Sequence, residues 1–114
     1  MVRIIADKNI FDYGKKHPEF RASLEVLVSF IKGCNWEKPQ DIVNNFGAKA
    51  TDILKNQRVC IDVKGNHLRI IFKYQFIKTN KKTNLYVKWV GSHAEYDKLN
   101  NLGLQHTIDM FKKQ

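Results

Sequence analysis

Residues 57–76 read QRVCIDVKGNHLRIIFKYQF, and across them the hydrophobic spacing changes from helical to alternating. Val59, Ile61 and Val63 fall on one face of a first strand. Gly65-Asn66 then supplies a hairpin turn, because glycine accepts the positive φ that a two-residue turn demands. On the return strand, residues 67–76, Leu68, Ile70, Phe72, Tyr74 and Phe76 share one face, while His67, Arg69, Ile71, Lys73 and Gln75 share the other. The polar run KTNKKT at 78–83 separates this hairpin from a third strand at 85–90. Alternation there puts Leu85, Val87 and Trp89 on one side and Tyr86 and Lys88 on the other. Three strands joined by short connections make an antiparallel meander with one apolar face that needs cover.

The cover lies upstream. Val2 to Ile5 reads as an opening strand. Asp7 is a suitable N-cap for a short helix carrying Ile10, Phe11 and Gly14 on one side, and His17-Pro18 ends that helix and starts the next. Phe20, Leu24, Leu27, Val28 and Ile31 then form a stripe at helical spacing, closed by Gly33. After a loop containing Trp36, Pro39 opens a third helix with Ile42, Val43 and Phe46 inward and Gly47 at its end. Residues 48–56 are less regular; Ile53 and Leu54 are the expected anchors there, under exposed Lys49, Lys55 and Arg58. Downstream, Gly91-Ser92 reads as a break, and Ser92-His93-Ala94-Glu95 fits a capping box that opens a helix. His93 and Tyr96, three residues apart, share a face of it. The pattern is α+β: a small domain with an amino-terminal strand, two or three helices, a three-stranded antiparallel meander and a short carboxy-terminal helix. It predicts a single domain over 1–114, with 99–114 either a last helix or a frayed tail, and a partly open second sheet face from which Arg69, Lys73 and Lys88 project.

Composition narrows the function classes. The chain has 114 residues and a formal net charge of +9, from 20 Lys and Arg against 11 Asp and Glu. That excess on so small a domain implies a polyanionic partner. No apolar run approaches the roughly 20 residues of a membrane span, and Met1 to Ala6 is too short for a secretory leader. A cytoplasmic protein is expected. Cys34 and Cys60 have no companion Cys or His at ligand spacing, so no metal site and no cofactor are expected, and both read as free thiols.

RNA offers chemistry that these residue types can perform. Its 2′-hydroxyl attacks the adjacent phosphate if a base removes the proton, positive charge holds the crowded phosphorane, and the 5′-oxygen leaves with a proton. Histidine, with an unperturbed pKa of about 6.5, serves either proton role near neutrality. Arginine offers a planar, permanently charged fork to phosphate oxygens. His93 is therefore the expected proton-transfer group with Tyr96 as its partner, and Arg69 the expected phosphate clamp. Lys55, Arg58, Lys73 and Lys88 are the second-rank cations for binding RNA. DNA lacks the attacking hydroxyl, so such a site selects RNA.

A family resemblance points the same way. The hairpin pattern V-x-x-x-V-x-G-N-x-L-R (Val59 to Val63, Gly65-Asn66, Leu68-Arg69) followed by G-[ST]-H-x-E-Y-D (Gly91 to Asp97) resembles the HigB branch of the RelE-like toxins. Arg3-Ile4-Ile5, Asn35-Trp36, Lys38-Pro39 and Phe46-Gly47 extend the likeness toward the amino terminus. The resemblance implies a RelE-like fold and a toxin that cleaves mRNA, on the ribosome, without a bound metal. It also implies a HigA-type, DNA-binding antitoxin as partner, and it supports Arg69, His93 and Tyr96 specifically. Position 88 is lysine where relatives often carry arginine.

Plainer readings stand beside these. Arg69 has a possible ion-pair partner in Asp62 across the hairpin, and Glu95 and Asp97 read as cap and surface charge. Trp36 and Trp89 read as core. His17 reads as a neighbour of Pro18, His67 as a hairpin residue and His106 as a solvated tail residue. The lysine-rich 78–82 loop is a solvated loop or a grip on RNA phosphate. Two other functions use the same cations: a non-catalytic RNA-binding module, and a transcription co-repressor that acts only with its antitoxin.

Overall fold

The computed structural model describes residues 1–63 and 67–111; the hairpin turn assigned to Gly65-Asn66 and the Lys112-Lys113 ending lie outside the described residues. The elements in chain order are β1 (Val2–Ile5), α1 (Lys8–Lys16), α2 (Pro18–Lys32), α3 (Pro39–Phe46), β2 (Thr51–Leu54), β3 (Arg58–Val63), β4 (Leu68–Ile77), β5 (Lys82–Ser92) and α4 (His93–Asn101). The strands form one sheet in the order β1-β5-β4-β3-β2, with β1 parallel to β5 and the remaining neighbours antiparallel. The α+β reading is correct, and the sheet is wider by one strand than the sequence indicates.

That extra strand is β2. Residues 48–56 lack both regular alternation and an Asn-Gly or Asp-Gly turn, yet Thr51–Leu54 pairs with β3, with Leu54 opposite Arg58. The turn between them is closed by Asn56 and Gln57, both at positive φ near 60°. Asparagine tolerates that region better than most residues, but Asn-Gln is not a recognisable hairpin signal. The expected anchors split accordingly: Ile53 is 45% exposed on the edge strand, whereas Leu54 packs inward.

The first face of the sheet carries the main core. Leu68, Ile70, Phe72 and Tyr74 of β4 meet Val59, Ile61 and Val63 of β3 and Leu85 and Val87 of β5, under Ile10, Leu24, Leu27, Val28 and Ile31 from the helices. Asp7 takes the N-cap position of α1 without a cap bond, and its carboxylate instead accepts from Lys32 Nζ at 2.9 Å. Trp36 is buried as expected, its Nε1 donating to Asn45 Oδ1 at 2.6 Å, and Thr83 Oγ1 donates to the Trp36 carbonyl at 2.6 Å. The first bond ties the loop before α3 to α3 itself, and the second ties it to the start of β5.

The second face departs from expectation. Between Ile71/Phe72 of β4 and Trp89/Val87 of β5 the register shifts, leaving Lys88 without a partner in β4. Such a bulge adds one residue and reverses the alternation beyond it. Trp89 therefore does not share a face with Leu85 and Val87; it joins Cys60, Ile71 and Tyr96 in a second, smaller cluster with Leu54, Leu99 and Ile108 around it. The part of this face expected to be open is covered over the second cluster by α4 and the carboxy-terminal segment, while Arg69, Lys73 and Lys88 stay partly exposed beside it. Arg58, expected to be exposed, is 6% exposed beneath that segment.

Among the described residues, 102–111 form no α-helix and are bonded to the sheet. After α4 the chain turns at Gly103 (φ 70°), makes a short 3₁₀ turn at Leu104–His106, and runs back across the sheet. Lys55 N donates to His106 Nδ1 at 3.0 Å, Asn56 Nδ2 to the His106 carbonyl at 2.9 Å, and Arg58 Nη1 to the carbonyls of Gln105 and Ile108 at 3.4 and 2.6 Å. Beyond Tyr86, β1 no longer accompanies β5, and there Met110 N donates to the Lys88 carbonyl at 2.9 Å. The strap covers an edge that would otherwise present unpaired backbone groups.

β5 also continues through Gly91 to Ser92, so Gly91-Ser92 is not a strand break. Glycine is required at 91 for another reason: a Cβ there would be driven into the Trp89 ring. Gly91→Ala is expected to destabilise the fold by about 1–3 kcal/mol through overpacking of a ring that cannot retreat. Urea unfolding, followed by tryptophan fluorescence, measures it; a midpoint equal to wild type would show that the ring has room.

Candidate active site

The capping box at the start of α4 forms as the sequence predicts. Ser92 N donates to Glu95 Oε1 at 2.9 Å and Glu95 N donates to Ser92 Oγ at 3.1 Å. With both amides satisfied the helix axis is fixed at its first turn, and His93 and Tyr96 come out on the side that faces β4 and β5. Tyr96 is buried, its ring 6.1 Å from that of Trp89. Arg69, which stands opposite Gly91 in β5 and Asp62 in β3, lays its guanidinium over the Tyr96 ring with Cζ 4.7 Å from the centroid. A cation stacked on an aromatic face gains electrostatic attraction and loses side-chain freedom, so Arg69 is held flat and aimed.

Four groups surround that guanidinium. Asp62 Oδ1 lies 3.1 Å from Nε, Asp52 Oδ2 3.6 Å from Nη1, and His93 Nε2 3.5 Å from Nη2. The Arg69 Nε is buried without a well-directed hydrogen bond, so the Asp62 contact is a charge pair rather than a straight N–H···O bond. The plain reading of Arg69 as the cross-hairpin partner of Asp62 is therefore correct as geometry, and proximity to His93 is correct at the same time. Asp97 Oδ1 lies 3.4 Å from His93 Nδ1, one helical turn on, and that nitrogen too is buried without a hydrogen bond. Asp52 was not legible because β2 was not.

Burial sets the protonation of the groups beneath. The Tyr96 phenol is raised well above its ordinary value, first by desolvation and then by Cys60 and Asp52, with Arg69 opposing. The Cys60 thiol is pushed up to about 12, again chiefly by burial, with Arg69 opposing and Asp52 and Asp62 adding to the rise. Asp62 is raised by desolvation, and Arg69 and His93 only partly compensate. The accessible functional atoms are those of Arg69 and His93; Tyr96 stays protonated under them.

The second-rank cations lie elsewhere. Lys73 is four residues along β4 from Arg69, about 13 Å at strand rise, and the Cys60, Ile71, Trp89 and Tyr96 cluster lies between. Arg58 is opposite Lys73 and is engaged with the strap carbonyls; burial lowers its pKa, with Asp109 opposing. Lys88 is bound to Asp109 at 3.0 Å. Lys55 is exposed at the β2–β3 turn. Fold geometry thus gathers Arg69, His93 and Tyr96 into one site and places Lys55, Arg58, Lys73 and Lys88 around the strap. His106, read as a solvated tail residue, is anchored at both Nδ1 and its carbonyl, through contacts 50 and 51 residues away that no local pattern announces.

A basic α+β domain that sets an arginine and a histidine side by side at the end of its sheet presents a phosphate-binding cation next to a proton-transfer group. Residues 20–99 match the model of the HigB toxin family, the RelE-like toxic component of a toxin–antitoxin system, and the chain belongs to that family. It is also similar to the mRNA interferase HigB of Escherichia coli O6:H1 (strain CFT073), at 31% identity over 98 residues covering 86% of this chain and 91% of the relative. The family match takes in α2 through most of α4 and ends before the strap.

Thiol chemistry checks the burial that shapes this site. With Cys60 pushed up to about 12 and Cys34 raised by burial, the thiolate fraction at pH 8 is small in the folded state. Neither thiol is expected to react with Ellman's reagent in the native protein at pH 8, and both should react at once in guanidinium. Rapid native labelling of Cys60 would show that α4 does not seal the second cluster.

Proposed function

We propose that this toxin is a metal-independent endoribonuclease that cleaves mRNA on the ribosome by attack of the 2′-hydroxyl on the adjacent phosphate, and that a HigA-type antitoxin neutralises it. The observation that carries the reading is the 3.5 Å approach of Arg69 Nη2 to His93 Nε2. Two chemically different groups, one permanently cationic and one able to take a proton near neutrality, face one small volume.

The roles follow from position. A phosphate oxygen binds the Arg69 fork and displaces Asp52, the more exposed of the two carboxylates and the more distant at 3.6 Å. Asp62, nearer and more buried, keeps the guanidinium seated. Asp97 beside Nδ1 favours the tautomer with its proton there, which leaves Nε2 as the lone-pair nitrogen. Nε2 takes the 2′-proton, the 2′-oxygen bonds to phosphorus, the bond to the 5′-oxygen breaks, and solvent protonates the leaving oxygen. The products are a 2′,3′-cyclic phosphate and a 5′-hydroxyl. Tyr96, kept protonated by burial, serves as the plank that aims Arg69 rather than as a base.

Expression in bacteria tests this. Wild type should arrest growth, and Arg69→Ala or His93→Ala should relieve the arrest with the circular dichroism spectrum unchanged. Loss of His93 should lower the cleavage rate on programmed ribosomes about 10²–10⁴-fold. Cleavage by toxin treated with EDTA and desalted should equal that by untreated toxin, and a 2′-deoxy residue at the scissile position should block it. Arrest that survives both substitutions would favour a non-catalytic RNA-binding module, and repression of its own promoter without arrest would favour a co-repressor.

A further inference from the structure

A second polar hollow lies on the same sheet face, at the opposite end from Arg69. It consists of two adjoining depressions of about 510 and 350 Å³ that share Gln57 and Lys73 as walls. Asn56, Arg58, His106 and Thr107 complete the larger one, and Tyr74, Gln75, Tyr86 and Lys88 the smaller. Among the described residues no aspartate or glutamate lines either. The contrast with Arg69, which sits between two carboxylates, is sharp.

The hollow is built from donors. Lys73 is half-buried, and among the described residues its ammonium has no ion-pair or hydrogen-bond partner. Arg58, 6% exposed, satisfies the strap through Nη1, while its Nε is buried and unpaired. His106 accepts the Lys55 amide at Nδ1, so in its neutral form the ring carries its proton on Nε2 and is a donor there. Lys88 is already turned to Asp109, which leaves Lys73 as the uncommitted charge. Beside it the half-buried Tyr86 ring supplies an aromatic surface. A half-buried cation without a counter-charge, ringed by donors and an aromatic side chain, is the complement of a nucleotide phosphate with its base.

We propose that this hollow is a second phosphate-binding subsite, which holds an RNA nucleotide other than the one carrying the scissile phosphate. Lys73 is its point charge, His106 Nε2 a neutral donor and Tyr86 the stacking surface for the base. The proposal deepens the nuclease reading and rests on it for the identity of the strand. Arg69 and Lys73 are about 13 Å apart along the β4 backbone, with Arg69 held over the Tyr96 ring and the Ile71–Trp89 cluster between them. His106 and Thr107 stand beyond residue 99, where the family match ends, so the strap is part of the binding surface as well as an edge cover.

Binding is tested apart from cleavage with a short 2′-O-methyl oligouridylate, which cannot undergo 2′ attack, by fluorescence anisotropy over a salt series. Lys73→Gln should weaken binding roughly tenfold and flatten the dependence of log K on log salt by about 0.7, the loss of one phosphate contact on a single strand. Lys73→Arg should restore the slope, and Tyr86→Leu should weaken binding with the slope unchanged. Lys8→Gln, an equal loss of charge on α1 in the other layer, should change neither. Wild-type affinity and slope in Lys73→Gln would overturn the subsite, as would an equal loss in Lys8→Gln, which would mean net charge alone. The nuclease reading fails separately: Lys73-dependent binding by a wild type that cuts nothing on ribosomes would leave the subsite and remove the cleavage.

Discussion

The unpaired Lys88 in β5 decides how the second face of the sheet is used. A regular strand would put Trp89 in the main core beside Val87, and α4 would have little apolar surface to lie on. With one extra residue, Trp89 turns to the opposite face and meets Ile71, Cys60 and Tyr96. Burying large side chains of this kind stabilises by about 1.5–3 kcal/mol each, more than the loss of one ladder pair removes. The bulge thereby creates a seat for Tyr96, and Tyr96 in turn is the seat for Arg69. Gly91 belongs to the same arrangement, since only a residue without a Cβ lets the Trp89 ring lie where it does.

Electrostatics on that face are divided rather than pooled. At one end Arg69 is oriented by an aromatic ring and restrained by Asp62 and Asp52, so its positive charge is partly balanced. Such restraint suits a group that must be rigid and selective. At the other end Lys73 has no counter-charge among the described residues, which suits capture of a phosphate with little geometric demand. A net charge of +9 describes neither end. Of the cations near the strap, Arg58 and Lys88 are spent on strap carbonyls and on Asp109.

The strap connects these themes. Its bonds reach the β2–β3 turn at one end and the free edge of β5 at the other, so it clamps strands that are not neighbours in sequence. Ile108 closes the second cluster and Phe111 packs on the main one. Leu102 and Leu104, which give this region its weak helical periodicity, are exposed at 72% and 41%. That periodicity does not become an α-helix among the described residues, because backbone bonds to the sheet outweigh the amphipathic pattern.

By itself the sequence determined what depends on neighbours in the chain: the α2 stripe, the alternation of β3 and β4, the capping box at Ser92 and Glu95, and through the motif spacing the family. It also yielded Arg69, His93 and Tyr96 as residues that belong together. Tertiary structure alone decided that Trp89 changes face, that Thr51–Leu54 is a fifth strand bringing Asp52 to Arg69, that Arg58 is buried, and that His106 lines a hollow with Lys73. The division has a physical reason. Helical and strand periodicity and caps are settled by side chains a few residues apart, whereas a bulge, an edge pairing and a strap are chosen by contacts between segments tens of residues apart, where burial and backbone hydrogen bonds of the whole sheet outweigh local preference.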